Sequence, residues 1–158
     1  MTDLGALYRQ YAPDVFRFAL YLSGDRDEAE DITSETFVRA WTSPERIRAA
    51  TVKGYLLTIA RNLFLQALRK KRRHVGLEGV ELPDPGPGPH AQAEQSSEVR
   101  AALAELQKLS EADRAALLMR AVHDMPYEEI AHTLGLSLSA TKVRIHRARL
   151  ALLRQRET

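Results

Sequence analysis

Apolar residues recur every three or four positions along most of the chain, the spacing of helices that bury one face. Leu4, Leu7, Tyr11, Val15, Phe18 and Leu22 set this rhythm first, and Pro13 predicts the start of a new helix within the stretch. Asp25 is placed to cap the next helix, with Glu28 three residues on as a capping box requires, and that helix is predicted to run to about Trp41. A third helix is predicted from Thr51, with Leu56, Ala60, Leu63 and Ala67 on one side. At 100° per residue its opposite side collects Tyr55, Asn62, Gln66, Arg69 and Arg73.

The rhythm breaks at "GLEGVELPDPGPGPHAQAEQSS", residues 76–97. Pro83, Pro85, Pro87 and Pro89 alternate with Gly86 and Gly88, a composition that blocks helix and sheet and favours an extended linker. Beyond it "SSEVRAALAEL" predicts one helix, and Ser110 with Asp113 caps another running through "LSEADRAALLMRAVHD". Pro126 then opens a short helix that Gly135 stops, and Ser137 caps a longer one. Two helices joined by a short turn containing Gly form a helix-turn-helix. The predicted class is therefore all-α: two small helical domains, residues 1–75 and 98–158, joined by the acidic Pro/Gly-rich linker.

On the last helix Leu138, Thr141, Ile145, Ala148 and Leu152 cluster as a packing face. Lys142, Val143, His146, Arg147 and Arg149 lie on the other side, where a recognition helix meets the major groove and Arg or Lys can bond guanine or hold phosphate.

Charge sharpens this picture. The formal net charge is only +2, yet residues 136–156 carry six Lys/Arg and no acid. Residues 46–77 carry nine more, again without an acid, while residues 25–35 hold six acids against one Arg. An ordinary solvated helix face mixes both signs, so the acid-free blocks point to nucleic acid and the acidic block to a basic partner. On the third helix an aromatic ring, two amides and two guanidiniums can stack on bases, bond their edges and hold phosphates.

Composition excludes several classes. The chain has 158 residues and no cysteine, which removes disulfides, thiol chemistry and thiolate metal sites. His74, His90, His123, His132 and His146 are scattered, so no metal or cofactor is expected. With no apolar run of membrane-spanning length and no secretion signal at the N-terminus, a cytoplasmic protein without membrane insertion is expected. There is no phosphate loop, nucleophile elbow or clustered carboxylate pair, so no enzyme is expected.

The segment "LSEADRAALLMRAVHDMPYEEIAHTLGLSLSATKVRIHRARLALL" resembles the promoter-binding C-terminal region of bacterial RNA polymerase sigma factors. "LYRQYAPDVFRFALYLSGDRDEAEDITSETFVRAW" with "KGYLLTIARNLFLQALRKKRR" resembles their N-terminal conserved region. Their order and the short linker resemble the extracytoplasmic-function group, which keeps only these two domains. The resemblance implies a factor that binds core RNA polymerase, through the clamp helices of the largest subunit and the flap, and directs initiation at promoter DNA. By position it implies polymerase contacts at Glu28, Asp31 and Glu35. Minus-10 contacts are implied at Lys53, Tyr55, Arg61, Asn62, Gln66, Arg69 and Arg73, and minus-35 contacts at Lys142, Val143, Arg144, His146, Arg147 and Arg149. It further implies capture of a flipped base by the loop Thr42 to Ala50, passage of the linker near the polymerase active-site cleft, and an anti-sigma factor as partner. Ser34, and Leu57 with Thr58 ahead of "IARN", depart from residues common in the family. A stand-alone helix-turn-helix regulator and a helical adaptor for a protein partner are the alternative readings.

Overall fold

The computed structural model describes residues 3–43, 51–78 and 96–157, and every regular element among them is a helix. The N-terminal bundle consists of α1 (Leu4–Ser23), α2 (Arg26–Thr42) and α3 (Val52–Glu78). The C-terminal bundle consists of α4 (Ser97–Gln107), α5 (Glu111–Ala121), α6 (Tyr127–Leu134) and α7 (Leu138–Glu157). Most of the predicted linker, residues 79–95, lies outside the described residues, and α3 continues through Glu78, past the expected boundary at residue 75.

Short polar side chains set most helix starts by accepting orphan backbone N–H groups. Asp25 accepts from Asp27 and Glu28, Ser110 from Asp113, and Ser137 from Ala140. Thr51 caps α3 through Gly54 at 3.0 Å. The backbone N–H of Asp25 donates to Ser23 Oγ, and the Glu28 carboxylate reaches Lys71. Gly24 and Gly135 end α1 and α6 in the left-handed region, at φ 72° and 67°.

Three local expectations are corrected. Pro13 does not start a helix, because α1 runs unbroken through it. Pro13 is exposed, while Leu7, Val15 and Phe18 hold the other face of the helix in the core. Helix α5 stops at Ala121 rather than Asp124, which takes a left-handed φ of 53°. Leu138 is 39% exposed and not part of the packing face, since it occupies the first turn of α7; Thr141, Ile145 and Ala148 are buried as expected.

The two bundles pack on each other, α1 against α4 and α5, and α3 against α6. Phe18, Leu22, Phe37, Leu56, Leu57 and Phe64 join Leu118, Met119, Ile130 and Ile145 in one continuous apolar cluster. The contact also completes the end of α1, whose last carbonyls have no partner within the helix. Gln107 donates to the Tyr21 carbonyl at 3.1 Å, and Arg114 donates to the Leu22 carbonyl at 2.8 Å.

Candidate nucleic-acid interface

Helix α7 exposes most of its cations. Lys142, His146, Arg147 and Arg149 are exposed, as is Val143 at 62%. Burial of Thr141, Ile145 and Ala148 fixes which way they point. Arg144 departs from this set: it is partly buried, and its Nη1 donates to Asp113 Oδ1 at 2.8 Å. Arg147 reaches the same oxygen at 3.3 Å while remaining largely exposed. The Lys142 ammonium lies 5.5 Å from the Tyr127 ring centroid, and the Arg120 guanidinium lies 4.3 Å from it. The Lys142 contact ties the start of α7 to α6, and the Arg120 contact ties α5 to the same ring.

On α3, Asn62, Gln66, Arg69 and Arg73 form an exposed stripe. The first half of the predicted minus-10 set is placed differently. Tyr55 is half-buried in a cavity of about 650 Å³ between the bundles, walled by Thr51, Thr58, Pro126, Glu128, Glu129 and His132. Lys53 is half-buried. Arg61 forms a two-pronged ion pair with Glu111, Nε to Oε1 at 2.7 Å and Nη2 to Oε2 at 2.8 Å, and each side chain is only 16% exposed. Of the predicted base-capturing loop, Thr42 and Ser43 are described; residues 44–50 lie outside the described residues.

The predicted polymerase contacts are brought together. Glu28, Asp31 and Glu35 line one side of a groove of about 450 Å³ between α2 and α3, with Asp25 and Asp27 beside them and Ile32, Leu63 and Ala67 forming the apolar lining. Lys71 crosses to Glu28 at 3.4 Å, and Arg39 reaches Glu35 at 3.4 Å along α2. A strip of carboxylates over an apolar floor suits a basic helix laid across it.

The residues that sequence reasoning passed over sit between the bundles. Arg114 is 5% exposed, and burial lowers its pKa while Glu111 opposes the shift. Besides Leu22, its guanidinium bonds the Leu109 carbonyl at 2.9 Å and lies 5.9 Å from the Phe64 centroid. His123 is 1% exposed and packs edge-on against Phe18, with ring centroids 5.6 Å apart. Burial brings its pKa down to about 4; Asp14 opposes the shift, and Lys53 and Arg17 reinforce it. Among the described residues neither ring nitrogen has a hydrogen-bond partner, and the Asp14 carboxylate stands 3.9 Å from Nδ1. Spacing gave one clue to Arg114, which shares a helix face with Leu117 and Leu118.

Among the described residues, no group of three His, Asp or Glu is placed to hold a metal ion, and no helix is long and apolar enough to cross a membrane.

Residues 7–74 match the family model of sigma-70 region 2, and residues 100–152 match that of sigma-70 region 4. The chain is 38% identical to the ECF RNA polymerase sigma factor SigE of Mycolicibacterium smegmatis, over 96% of this chain and 61% of that protein's length. It is 36% identical to the ECF RNA polymerase sigma factor SigL of Mycobacterium tuberculosis, over 93% of this chain and 85% of that one. Among solved structures, the sigma factor RpoE of Bartonella quintana, in complex with the anti-sigma factor NepR, matches 100% of this chain and 99% of its own, with a TM-score of 0.85 and 28% identity. CnrH, solved with the cytosolic domain of CnrY, shares the fold at a TM-score of 0.72 and 23% identity. With both regions present in this order and homologues of this kind aligned along nearly its whole length, the chain belongs to the ECF RNA polymerase sigma factors of the sigma-70 family.

Proposed function

We propose that this sigma factor directs promoter-specific initiation by core RNA polymerase through three surfaces carried by two functional domains, residues 1–75 and 98–158. The carboxylates Glu28, Asp31 and Glu35 dock on a basic polymerase helix pair. The α3 residues Lys53, Tyr55, Arg61, Asn62, Gln66, Arg69 and Arg73 read and hold the melted minus-10 strand. Helix α7 reads the minus-35 duplex through Lys142, Val143, His146, Arg147 and Arg149, with Arg144 steadying that helix from below. The sigma factor supplies recognition and melting, and polymerase supplies catalysis. The observation that carries this reading is the ordered pair of sigma-70 regions. Because the Bartonella relative was solved with an anti-sigma factor, an anti-sigma partner is proposed here too.

Run-off transcription with cognate core polymerase on genomic fragments tests the whole assignment. Discrete start sites that require the protein are expected, and absence of any specific transcript would overturn it. In the same assay Arg147→Ala should cost about 1 to 3 kcal/mol at promoters carrying the preferred base and relax preference at one minus-35 position. A uniform loss on every promoter would make Arg147 a phosphate contact instead.

Asp31→Arg should weaken core binding at least about tenfold, because a carboxylate set against a basic partner becomes repulsive when its sign reverses. Its affinity for nonspecific duplex DNA at low salt should not fall. Core affinity equal to wild type would remove Asp31 from the docking surface.

A further inference from the structure

The first two turns of α7 expose small and apolar side chains at the end of the helix where a recognition helix meets base edges. Val143, in the second turn, is 62% exposed. Ser139 and Ala140 are exposed one turn before it, and His146 and Arg147 one turn after it. At this spacing they share one face of the helix with Val143. The cations that flank Val143 in sequence are drawn back to their own bundle, Lys142 to within 5.5 Å of the Tyr127 ring centroid and Arg144 to Asp113 at 2.8 Å. The middle of the face is therefore a branched hydrocarbon rather than a charge.

A valine carries no donor for a phosphate. It is also a weaker helix former than Lys, Arg or Ala, and at an exposed position no burial within the bundle offsets that cost. Among the groups that base pairs present in the major groove, only the thymine C5-methyl is apolar; the others are hydrogen-bond donors and acceptors. A cytosine or adenine amino group pressed against the valine would lose its water partner without gaining another. The side chain thus favours thymine and penalises its competitors at once. Arg147, one turn further along the same face, lies about 6 Å away along the helix axis at about 1.5 Å per residue. At about 3.4 Å per base pair that separation covers at most about two steps of the duplex.

We propose that Val143 is a specificity-determining residue that reads the methyl group of a thymine in the minus-35 duplex, no more than about two base pairs from the base read by Arg147. The inference rests on the proposed function and deepens it, since it names the chemical group on the DNA that this helix selects.

Holoenzyme assembled from the full chain and cognate core polymerase selects from fully randomised duplexes, as wild type and with Val143→Ala or Arg147→Ala. Wild type should select a thymine no more than about two base pairs from the position at which Arg147→Ala relaxes preference, and Val143→Ala should lose preference at that thymine. Uracil, which lacks only the methyl, is then placed there in a duplex of the selected sequence. Wild-type binding should weaken about three- to fivefold, the effect of leaving one methyl unburied, while Val143→Ala should bind the two duplexes alike. Uracil at a selected thymine outside the minus-35 element should show no such dependence on Val143. Thermal melting confirms that both variants fold. A selected minus-35 element without such a thymine, equal wild-type affinity for the uracil duplex, or equal sensitivity to uracil in Val143→Ala overturns this inference and leaves the proposed function standing. Absence of any selected minus-35 element overturns both.

Discussion

Arg114→Ala should destabilise the protein by about 3 to 5 kcal/mol and loosen the contact between the bundles. The side chain is almost fully buried and bonds two backbone carbonyls, Leu22 in the N-terminal bundle and Leu109 in its own. Hydrogen bonds from a charged donor contribute about 1.5 to 3 kcal/mol each, and truncation leaves both oxygens without that donor. It also empties the space beside Phe64, which adds a cavity cost. The geometry is specific to a planar fork, so Arg114→Lys should recover only part of the loss. Urea unfolding followed by circular dichroism measures this as a fall in midpoint. A loss below about 1 kcal/mol for Arg114→Ala would mean that water replaces the guanidinium at both carbonyls and that the contact does not depend on it.

The fold's local features were legible because they are written at short range. Ser110, Ser137, Thr51 and Asp25 cap helices, and Gly24 and Gly135 end them, for reasons complete within a few residues. The exposed face of α7 followed from the period of its buried residues. Pro13 misled because a proline's lost hydrogen bond is cheap where its ring faces water, and burial two residues on is not a local property. The bundle interface was illegible for a different reason. A hydrophobic period says which face is buried but not against what, and Arg61 meets Glu111 fifty positions away, while Arg114 meets Leu22 ninety-two positions away. Arg61 was expected on a nucleic-acid surface, and nothing near it in sequence foretold the carboxylate of Glu111 that pairs with it. Leu57, noted as a departure from the family pattern, is fully buried. An apolar residue suits that place, since it packs into the cluster shared by both bundles.

Acidification from pH 7.5 to 5 should destabilise the folded protein by about 2 kcal/mol through His123 alone. The unfolded chain exposes this imidazole to water, where it titrates near 6.5, whereas burial in the folded state brings it down to about 4. Between those values the unfolded state binds more protons. Full stability is therefore present above pH 6.5, declines as pH falls, and stops declining below about 4, where both states are protonated. The groups facing the ring explain why protonation is not absorbed. Asp14 on α1 favours the imidazolium, but its carboxylate stands 3.9 Å away, and Arg17 on the same helix and Lys53 on α3 oppose the charge. Carboxylates titrate mainly below pH 5, so histidines dominate the window from 6.5 to 5, and comparison with a variant lacking His123 separates it from the other four. Urea midpoints measured across that window should fall in wild type. His123→Phe keeps an aromatic ring against Phe18 and should flatten the curve over the same range. A variant whose stability still drops as steeply as wild type between pH 6.5 and 5 would assign the acid sensitivity to another group and leave His123 a packing residue only.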